Sequence, residues 1–308
     1  MLTALAGGVG GSKLLLGLKY EMNGVGTAVV NTADDEEFFG LHVSPDIDTV
    51  IYTLSGLADE SKGWGIRGDT FHTLEMLGRL GCETWFKLGD RDLAIHIYRT
   101  MRLRAGASLT EVTAEIAERL GAGWKILPMT DDRVRTWIET LEGPMPFQTY
   151  FVKRGAADRV VSIEYRGVER ARPSREVVQA LKESDAVIIC PSNPFLSIEP
   201  ILRLEGVRTL LRQMDGVVLA VSPIVGGRAL KGPAAKIMAD LGMEPSPASV
   251  AELYRDFLDI MVLDRVDAHY VDEISSMGIK TVITDTIMNS LDEKRALARR
   301  CLEAVGII

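Results

Sequence analysis

Short apolar segments of strand length recur along the chain and alternate with helical patterns. Six of them are Leu2–Ala6, Thr27–Asn31, Ala186–Cys190, Val217–Val221, Asp259–Leu263 and Lys280–Thr284. Several are apolar on both faces, as expected for parallel strands that helices cover on both sides. Helical patterns separate the later strands, at Arg175–Ser184, Pro200–Gln213, Gly232–Leu241 and Ser249–Phe257. This alternation predicts an α/β fold, with a doubly wound, mainly parallel, Rossmann-like sheet.

The middle of the chain follows a different pattern. From about Trp64 to Glu142 the spacing of apolar residues is mostly helical, and Ser108 opens a Ser-Leu-Thr-Glu capping box for a helix that reaches Leu120. We therefore expect residues 64–143 to be a helical insertion, carried by a nucleotide-binding core of residues 1–63 and 144–308. The stretch Phe147–Val168 is expected to be extended, with a turn near Gly155.

Composition excludes some classes of protein. The 308 residues contain no apolar run near the roughly 20 residues of a membrane helix, so no membrane partner is expected. The formal net charge of -8 argues against a general nucleic-acid binder, although a local pocket can still be positive. The chain starts with an apolar strand and shows no export signal, and its three cysteines lack metal spacing. A cytoplasmic protein with buried, reduced thiols is expected.

A glycine-rich turn, in the stretch "LAGGVGGSKLLLGL" from Leu5 to Leu18, joins the first strand to the first helix. Its glycines permit positive φ and leave backbone N–H groups uncovered, and a helix expected to start near Ser12 adds its positive dipole end. Ser12 can cap this helix or donate to a phosphate oxygen. The order of residues matches neither a P-loop nor the G-x-G-x-x-G pattern. The turn predicts a phosphate site, and a tight turn without a ligand is the alternative.

Carboxylates follow the second strand. Asn31 and Thr32 stand where a parallel strand delivers side chains to the ligand crevice. Four aspartates come next, Asp34, Asp35, Asp46 and Asp48. Carboxylates beside a phosphate loop commonly hold Mg²⁺, so these four predict a metal site. For Asp48 a role as helix N-cap is a competing interpretation, and Glu36 and Glu37 are interpreted as solvated loop acids.

Two later strands also end in short polar residues or glycine. Ser192 and Asn193 follow the strand Ala186–Cys190, and Gly226 and Gly227 follow the strand Val217–Val221. Together with the glycine-rich turn after the first strand, these two strand ends are expected to bind a single nucleotide. Lys87 lies ahead of a helix in the insertion and could meet a phosphate or a ring carbonyl. A surface charge at a helix start is an equally good interpretation of Lys87.

Taken in order, these motifs resemble one family, the 2-phospho-L-lactate transferases of coenzyme F-420 biosynthesis. The likeness covers essentially the whole chain. It rests on Gly7–Gly11, Asn31–Asp35, Ser44–Thr49, Lys87–Asp92, Pro191–Pro194 and Ser222–Gly227, and extends to Ile126–Asp132 and Ala251–Asp259. Val9 and Gly11 stand where some members of the family have threonine.

The resemblance implies a reaction. The ribityl 5'-hydroxyl of 7,8-didemethyl-8-hydroxy-5-deazariboflavin (Fo) would attack the guanosine diphosphate ester of a small phosphorylated acid, with release of GMP. Magnesium would be required, and the positions of Asp48 and Lys87 would contact the deazaflavin, the latter from the helical insertion. The resemblance also suggests a homodimer. The acid could be phospholactate, phosphoenolpyruvate or 3-phosphoglycerate.

Such a reaction depends on in-line placement and charge neutralisation. Asp34 or Asp35, with Asp46 or Asp48, is assigned to Mg²⁺, and Asp48 is the first choice to accept the hydroxyl proton. The residues expected to bind the nucleotide or its phosphates are Gly8, Gly10, Gly11, Ser12, Asn31, Ser192, Asn193, Gly226 and Gly227. Two alternatives stay open: a non-catalytic, nucleotide-sugar-binding regulatory protein of the related fold, and an NAD-dependent oxidoreductase, which the missing G-x-G-x-x-G disfavours.

Overall fold

A seven-stranded, all-parallel sheet forms the centre of the protein. The computed structural model describes residues 1–22 and 24–308. The strands, labelled β1 to β14 in chain order, are Leu2–Ala6, Thr27–Val30, Glu36–Phe38, Leu41–Val43, Lys125–Pro128, Arg135–Thr140, Gly143–Pro146, Val160–Arg166, Ala186–Ile189, Val217–Val221, Ile224–Val225, Arg228–Ala229, Ile260–Asp264 and Lys280–Thr284. The central sheet has the order β14-β13-β10-β9-β1-β2-β5. This is the predicted doubly wound, Rossmann-like arrangement.

Helices cover both faces of this sheet. The α-helices, labelled α1 to α12, are Gly8–Glu21, Pro45–Leu54, His72–Arg79, Asp90–Arg104, Leu109–Arg119, Arg175–Lys182, Glu199–Arg203, Val207–Gln213, Ala234–Asp240, Pro247–Tyr254, Val271–Ser276 and Leu291–Ala304. Short π-helical turns span Thr149–Lys153 and Pro194–Ile198, and a 3₁₀ helix spans Arg265–Tyr270. No described helix is both long enough and apolar enough to cross a lipid bilayer.

The core explains why the apolar segments become these strands. Residues of β1 alternate between two buried clusters, with Leu2, Ala4 and Ala6 on one side of the sheet and Leu5 on the other. The first side is filled by α1, which packs against α2 and α12. A strand buried on both faces has to be apolar at successive positions, and this is the pattern from which the sheet was predicted. Six of its seven strands are confirmed, with bounds shifted by one residue at most.

The predicted helical insertion is only partly helical. Helices α3, α4 and α5 lie in it, and the capping box at Ser108 is confirmed. Its last part is not helical, however, because β5 pairs with β2 as the edge of the central sheet. The helical pattern expected up to Glu142 is also wrong for the residues after Thr130. Here β6 alternates buried and partly exposed residues and pairs with both β7 and β8 in a three-stranded antiparallel sheet.

Two other local expectations change. The predicted helix Pro200–Gln213 is interrupted at Gly206, whose φ of 83° lies in the left-handed region, so that α7 and α8 are separate helices. The expected extended stretch Phe147–Val168 begins with a π-helical turn and becomes a strand only at β8.

Candidate active site

The order of strands in the central sheet indicates where a ligand is expected to bind. Chain order reverses between β1 and β9, because β2 and β5 continue on one side of β1 while β9, β10, β13 and β14 follow on the other. In open parallel sheets, ligands bind at this reversal, outside the carboxyl ends of the strands. The glycine turn after β1, the acidic segment after β2 and the polar segments after β9 and β10 all leave the sheet at this edge.

A hydrogen bond links the glycine turn to α2. Helix α1 begins at Gly8, so the expected start near Ser12 is wrong, as is a capping role for Ser12. The Gly8 N–H donates to Oδ1 of Asp46 (2.8 Å), and φ of Gly8 is +62°. Ser12 is buried in the helix and its hydroxyl donates to the carbonyl of Val9 (3.0 Å). The sequence could not indicate this start, because the acceptor comes from a residue 38 positions away.

The other glycines of this turn allow close packing. A Cβ on Gly10 would lie 2.2 Å from the carbonyl oxygen of Pro191, and one on Gly11 would lie 2.6 Å from Oγ of Ser192. Ser192 also accepts from the Gly7 N–H (3.2 Å) and donates to the Gly7 carbonyl (2.8 Å). These contacts fix the loop after β1 against the loop after β9, which is a structural reason for Gly10, Gly11 and Ser192. Phosphate binding by these residues stays a prediction.

Asn31 and Asn193 organise their own loops. Asn31 accepts from the Ala33 N–H and donates to Oδ2 of Asp46 (3.0 Å). Asn193 accepts from the N–H groups of Phe195 and Leu196, which caps the π-helical turn. Among the described residues, the buried Nδ2 of Asn193 has no hydrogen-bond partner. Contact of Asn193 with the nucleotide stays a prediction.

Gly226 and Gly227 form the turn of the β11–β12 hairpin. Both have positive φ, 57° and 75°, as two-residue hairpin turns of this kind require. The Gly226 N–H donates to the carboxylate of Asp267 (3.1 Å). The hairpin accounts for both glycines without a ligand, and their predicted contact with the nucleotide stays a prediction.

Asp34 and Asp35 lie buried at the end of β2. Oδ2 of Asp35 accepts from the Ser44 hydroxyl (2.8 Å) and contacts Nε2 of His42 (2.8 Å). Oδ1 of Asp34 and Oδ1 of Asp35 are buried and, within residues 1–22 and 24–308, have no hydrogen-bond partner. Burial, followed by the neighbouring Asp46 and Asp35 carboxylates, raises the pKa of Asp34 well above its usual value. Such a pair of carboxylates favours a bound cation.

Asp46 and Asp48 point in different directions because residues two apart on a helix do not share a face. Both lie inside α2, whose N-cap is Ser44, so the N-cap interpretation of Asp48 is wrong. Asp46 has both oxygens engaged, by Gly8 and Asn31, and burial raises its pKa to about 6. Asp48 faces α4, where the fully buried Arg99 donates to both of its oxygens.

The four aspartates therefore do not form one metal cage. In the described part of the chain, no three His, Cys, Asp or Glu side chains are arranged to hold a metal ion. The open oxygens of Asp34 and Asp35 still fit Mg²⁺, because this ion usually takes one or two protein carboxylates and completes its shell with phosphate and water.

A buried polar network surrounds Asp48, and sequence reasoning missed it. Arg99 lies 3.2 Å from Nδ1 of His96, whose Nε2 lies 3.2 Å from Asp92. Asp92 in turn accepts from the Tyr52 hydroxyl (2.5 Å). The positions 92, 96 and 99 share one face of α4, which is a signal that the sequence did contain.

Lys87 is exposed, and within the described residues its ammonium has no hydrogen bond or ion pair. Its neighbours are anchored: Leu88 is buried against Val43 and Leu93. Asp90 accepts from the N–H groups of His72 and Thr73 and so caps α3. The contacts of Leu88 and Asp90 thus fix the backbone near Lys87, while the Lys87 ammonium has no partner among the described residues.

The topology defines a doubly wound α/β protein in which the glycine turn, the acidic segment and the polar loops meet at the reversal of strand order. Comparison with known proteins identifies the family. The profile of the 2-phospho-L-lactate transferase CofD family matches residues 2–302, and the chain belongs to this family.

The relatives cover almost the whole chain. A 2-phospho-L-lactate transferase of Methanosarcina acetivorans is 44% identical, over 96% of this chain and 95% of that protein. A 2-phospho-L-lactate transferase of Methanocaldococcus jannaschii is 42% identical, over 99% of this chain and 98% of that protein. A phosphoenolpyruvate transferase of Streptomyces griseus is 40% identical, over 98% of this chain and 97% of that protein.

A solved structure supports the fold. The crystal structure of a UPF0052 family protein from Bacillus halodurans has a TM-score of 0.64 and 16% identity, and the match covers 98% of both chains.

Proposed function

We propose that this protein transfers a phospho-acid, 2-phospho-L-lactate or a close analogue, from its guanosine diphosphate ester to Fo and releases GMP. Family membership supports a transferase of this type, and similar relatives are named for phospholactate and for phosphoenolpyruvate. The observation that carries the proposal is that Asp34 and Asp35 each have a buried oxygen without a hydrogen-bond partner among the described residues. Asp34 neighbours Asp46, which in turn accepts from the Gly8 N–H of the glycine turn. Such carboxylate oxygens are the usual protein ligands of the Mg²⁺ that accompanies a diphosphate.

The step itself would be an in-line displacement. The ribityl hydroxyl oxygen of Fo forms a bond to the phosphorus that carries the acid, and the bond from that phosphorus to the GMP oxygen breaks. The hydroxyl proton passes to a base, and GMP leaves with the electron pair. Bound Mg²⁺ would supply charge neutralisation on the diphosphate. One of the Asp34 and Asp35 carboxylates would hold it there, which leaves the other to accept the proton.

The base is better sought at Asp34 or Asp35 than at Asp48. Both oxygens of Asp48 already accept from Arg99, and each has one further lone pair for a ligand. Asp34 and Asp35 each keep one oxygen without a partner among the described residues. With Arg99 fixing its orientation, Asp48 is suited to binding Fo, as the family resemblance implies.

Product analysis tests the transfer. The protein is incubated with Fo, Mg²⁺ and, in separate reactions, the guanosine diphosphate esters of 2-phospholactate, phosphoenolpyruvate and 3-phosphoglycerate. We expect one ester to give GMP and a product whose mass equals that of Fo plus the phospho-acid less water. Binding of guanine nucleotide without product from any ester would contradict the proposal and favour a regulatory protein.

Replacement of Lys87 by Ala is expected to impair only the reaction with Fo. Loss of a charge-assisted hydrogen bond to the deazaflavin costs roughly 1.5–3 kcal/mol, which is about a tenfold to hundredfold lower kcat/KM when Fo is varied. Folding stability should change by a few tenths of a kcal/mol, as for other surface substitutions. Steady-state kinetics with each substrate varied in turn measure the effect.

Lys280 provides a matched control for Lys87. It is exposed at the first residue of β14, which is the amino end of the sheet and opposite to the crevice. Lys280→Ala should leave both kinetic constants unchanged. If Lys87→Ala lowers kcat/KM equally for Fo and for the nucleotide ester, the cleft has collapsed. If neither kcat/KM changes, Lys87 is a surface charge that does not bind Fo.

A further inference from the structure

Arg135 lies beside the segment that carries Asp34 and Asp35. It is the first residue of β6, and the N–H of the next residue, Thr136, donates to the carbonyl of Ala33 (2.7 Å). The two aspartates follow Ala33 directly in the chain. This hydrogen bond therefore holds the start of β6 against the acidic segment, although the two parts are about a hundred positions apart in the sequence.

The topology puts Arg135 on the side of the acidic segment that lies away from the glycine turn. In this part of the central sheet the strand order is β9-β1-β2-β5. The glycine turn follows β1 and bonds to the loop after β9, the acidic segment follows β2, and β6 follows β5. An extended ligand that begins at the glycine turn and crosses the aspartates would therefore end near Arg135.

Most of the hydrogen-bonding capacity of the Arg135 guanidinium is unused. Its Nη1 donates to the carbonyl of the preceding residue, Val134 (2.9 Å). Its Nε is buried and has no hydrogen-bond partner among the described residues. Within residues 1–22 and 24–308, no carboxylate forms an ion pair with it. Arginine binds a carboxylate through two parallel N–H groups, and the edge formed by Nε and Nη2 is free to do so.

A partly buried cation without an ion pair is unfavourable. Arg135 is half-buried, and burial lowers the pKa of its guanidinium, while the Asp35 carboxylate acts in the opposite direction. Mg²⁺ bound at Asp34 or Asp35 would offset the negative charge on that side. An anion that pairs with the free edge of Arg135 would then satisfy its donors and balance its charge.

The other charged groups near Arg135 do not take the place of such an anion. Arg166 lies opposite it in the pairing of β6 with β8, but Arg166 pairs with Glu164 (3.0 Å) and lies over the ring of Trp137. The negative charge of Glu36 also acts on Arg135, yet the two form no ion pair in the described part of the chain. Arg135 therefore has no direct counter-ion.

We propose that Arg135 binds the carboxylate of the phospho-acid in the nucleotide donor, and so is a residue that recognises the acid. The proposal rests on the proposed function, because it assigns a contact to the acid end of that substrate. Phospholactate, phosphoenolpyruvate and 3-phosphoglycerate all carry this carboxylate, and the diphosphate ester leaves it free. The planar fork of arginine matches a carboxylate with two hydrogen bonds.

Two ligands that differ only in the carboxylate test this contact. One is the guanosine diphosphate ester of 2-phospholactate, and the other is the ethyl ester of GDP at its terminal phosphate, which has hydrogen in place of the carboxylate. Calorimetry at constant Mg²⁺ and without Fo compares the wild-type protein with Arg135→Gln. We expect the variant to bind the phospholactate ester about tenfold to hundredfold more weakly and the ethyl ester with unchanged affinity. The wild-type preference for the carboxylate should disappear in the variant.

Arg135→Lys and Arg133→Gln are the matched variants. Lysine keeps the charge but not the fork, so Arg135→Lys should recover part of the lost affinity. Arg133 is exposed two residues earlier, and its replacement should change neither affinity. Thermal unfolding of every variant checks that the fold is kept. An equal loss for both esters in Arg135→Gln would overturn the proposal, because Arg135 would then act on the diphosphate or on the fold. Unchanged affinity for both esters would overturn it as well.

Failure of this inference and failure of the proposed function give different results. If Arg135→Gln loses the preference for the carboxylate but the wild-type protein forms no product with Fo, the contact with the acid stands and the transfer falls. If the wild-type protein forms product and Arg135→Gln still prefers the phospholactate ester, the transfer stands and Arg135 does not recognise the acid.

Discussion

Asp34→Asn is expected to lower turnover about a hundredfold or more and, at the same time, to raise the temperature of unfolding. The carboxylate is buried beside Asp46 and Asp35, and its Oδ1 has no partner among the described residues. Removing its charge weakens the hold on Mg²⁺, and a metal ion contributes several kcal/mol to the transition state. The same change removes an unfavourable buried charge from the folded protein. Turnover and thermal unfolding are measured on the same sample.

The opposite signs of these two effects separate a ligand role from a structural one. A residue held in place for folding would lose stability on replacement, whereas functional sites commonly retain groups that cost stability. Asp35→Asn should also abolish turnover but lose stability, because Asp35 accepts from Ser44 and contacts His42. Glu37→Gln, an exposed neighbour, should change neither quantity. Undiminished wild-type turnover in excess chelator would contradict the metal assignment.

The central sheet could be predicted because its signal is local. Each strand that is buried on both faces has to be apolar along its length, and β1, β10 and β14 appear with the predicted bounds. Strand β5 was not predicted because its four residues, Lys125–Pro128, follow α5 after a loop of only five residues and end in proline. In β6 the alternation of buried Thr136, Ile138 and Thr140 was present, but charged residues around it favoured a helical interpretation.

The sequence predicts where the candidate site lies on the sheet, but not which contacts its side chains make. Polar residues after parallel strands must meet at one edge of the sheet, so Asp34, Asp35 and Asn193 could be placed near one another. Which partner each side chain takes depends on tertiary packing. The pairing of Asp48 with Arg99 joins residues 51 positions apart, and the bond from Gly8 to Asp46 spans 38. Both contacts assign roles to aspartates that spacing alone made equivalent.

Arg99→Met is expected to destabilise the protein by about 3–5 kcal/mol, because it leaves a buried carboxylate without its counter-charge. Arg99 is fully buried and donates to both oxygens of Asp48, which is itself 4% exposed. Methionine fills much of the volume of the arginine stem, so the loss reports mainly on charge. Urea denaturation measures the free energy of unfolding.

A double variant and a surface control decide whether that loss comes from the ion pair. Asp48→Asn combined with Arg99→Met removes both charges, so it should recover part of the stability lost in Arg99→Met alone, and the coupling energy follows from the cycle. Arg102 on the same helix pairs with Glu115 at the surface (2.7 Å). Arg102→Met should therefore cost under about 1 kcal/mol. A loss in Arg99→Met no larger than that of the control would mean that Asp48 does not depend on Arg99. The recovered double variant should still bind Fo poorly, since stability would return without the oriented carboxylate.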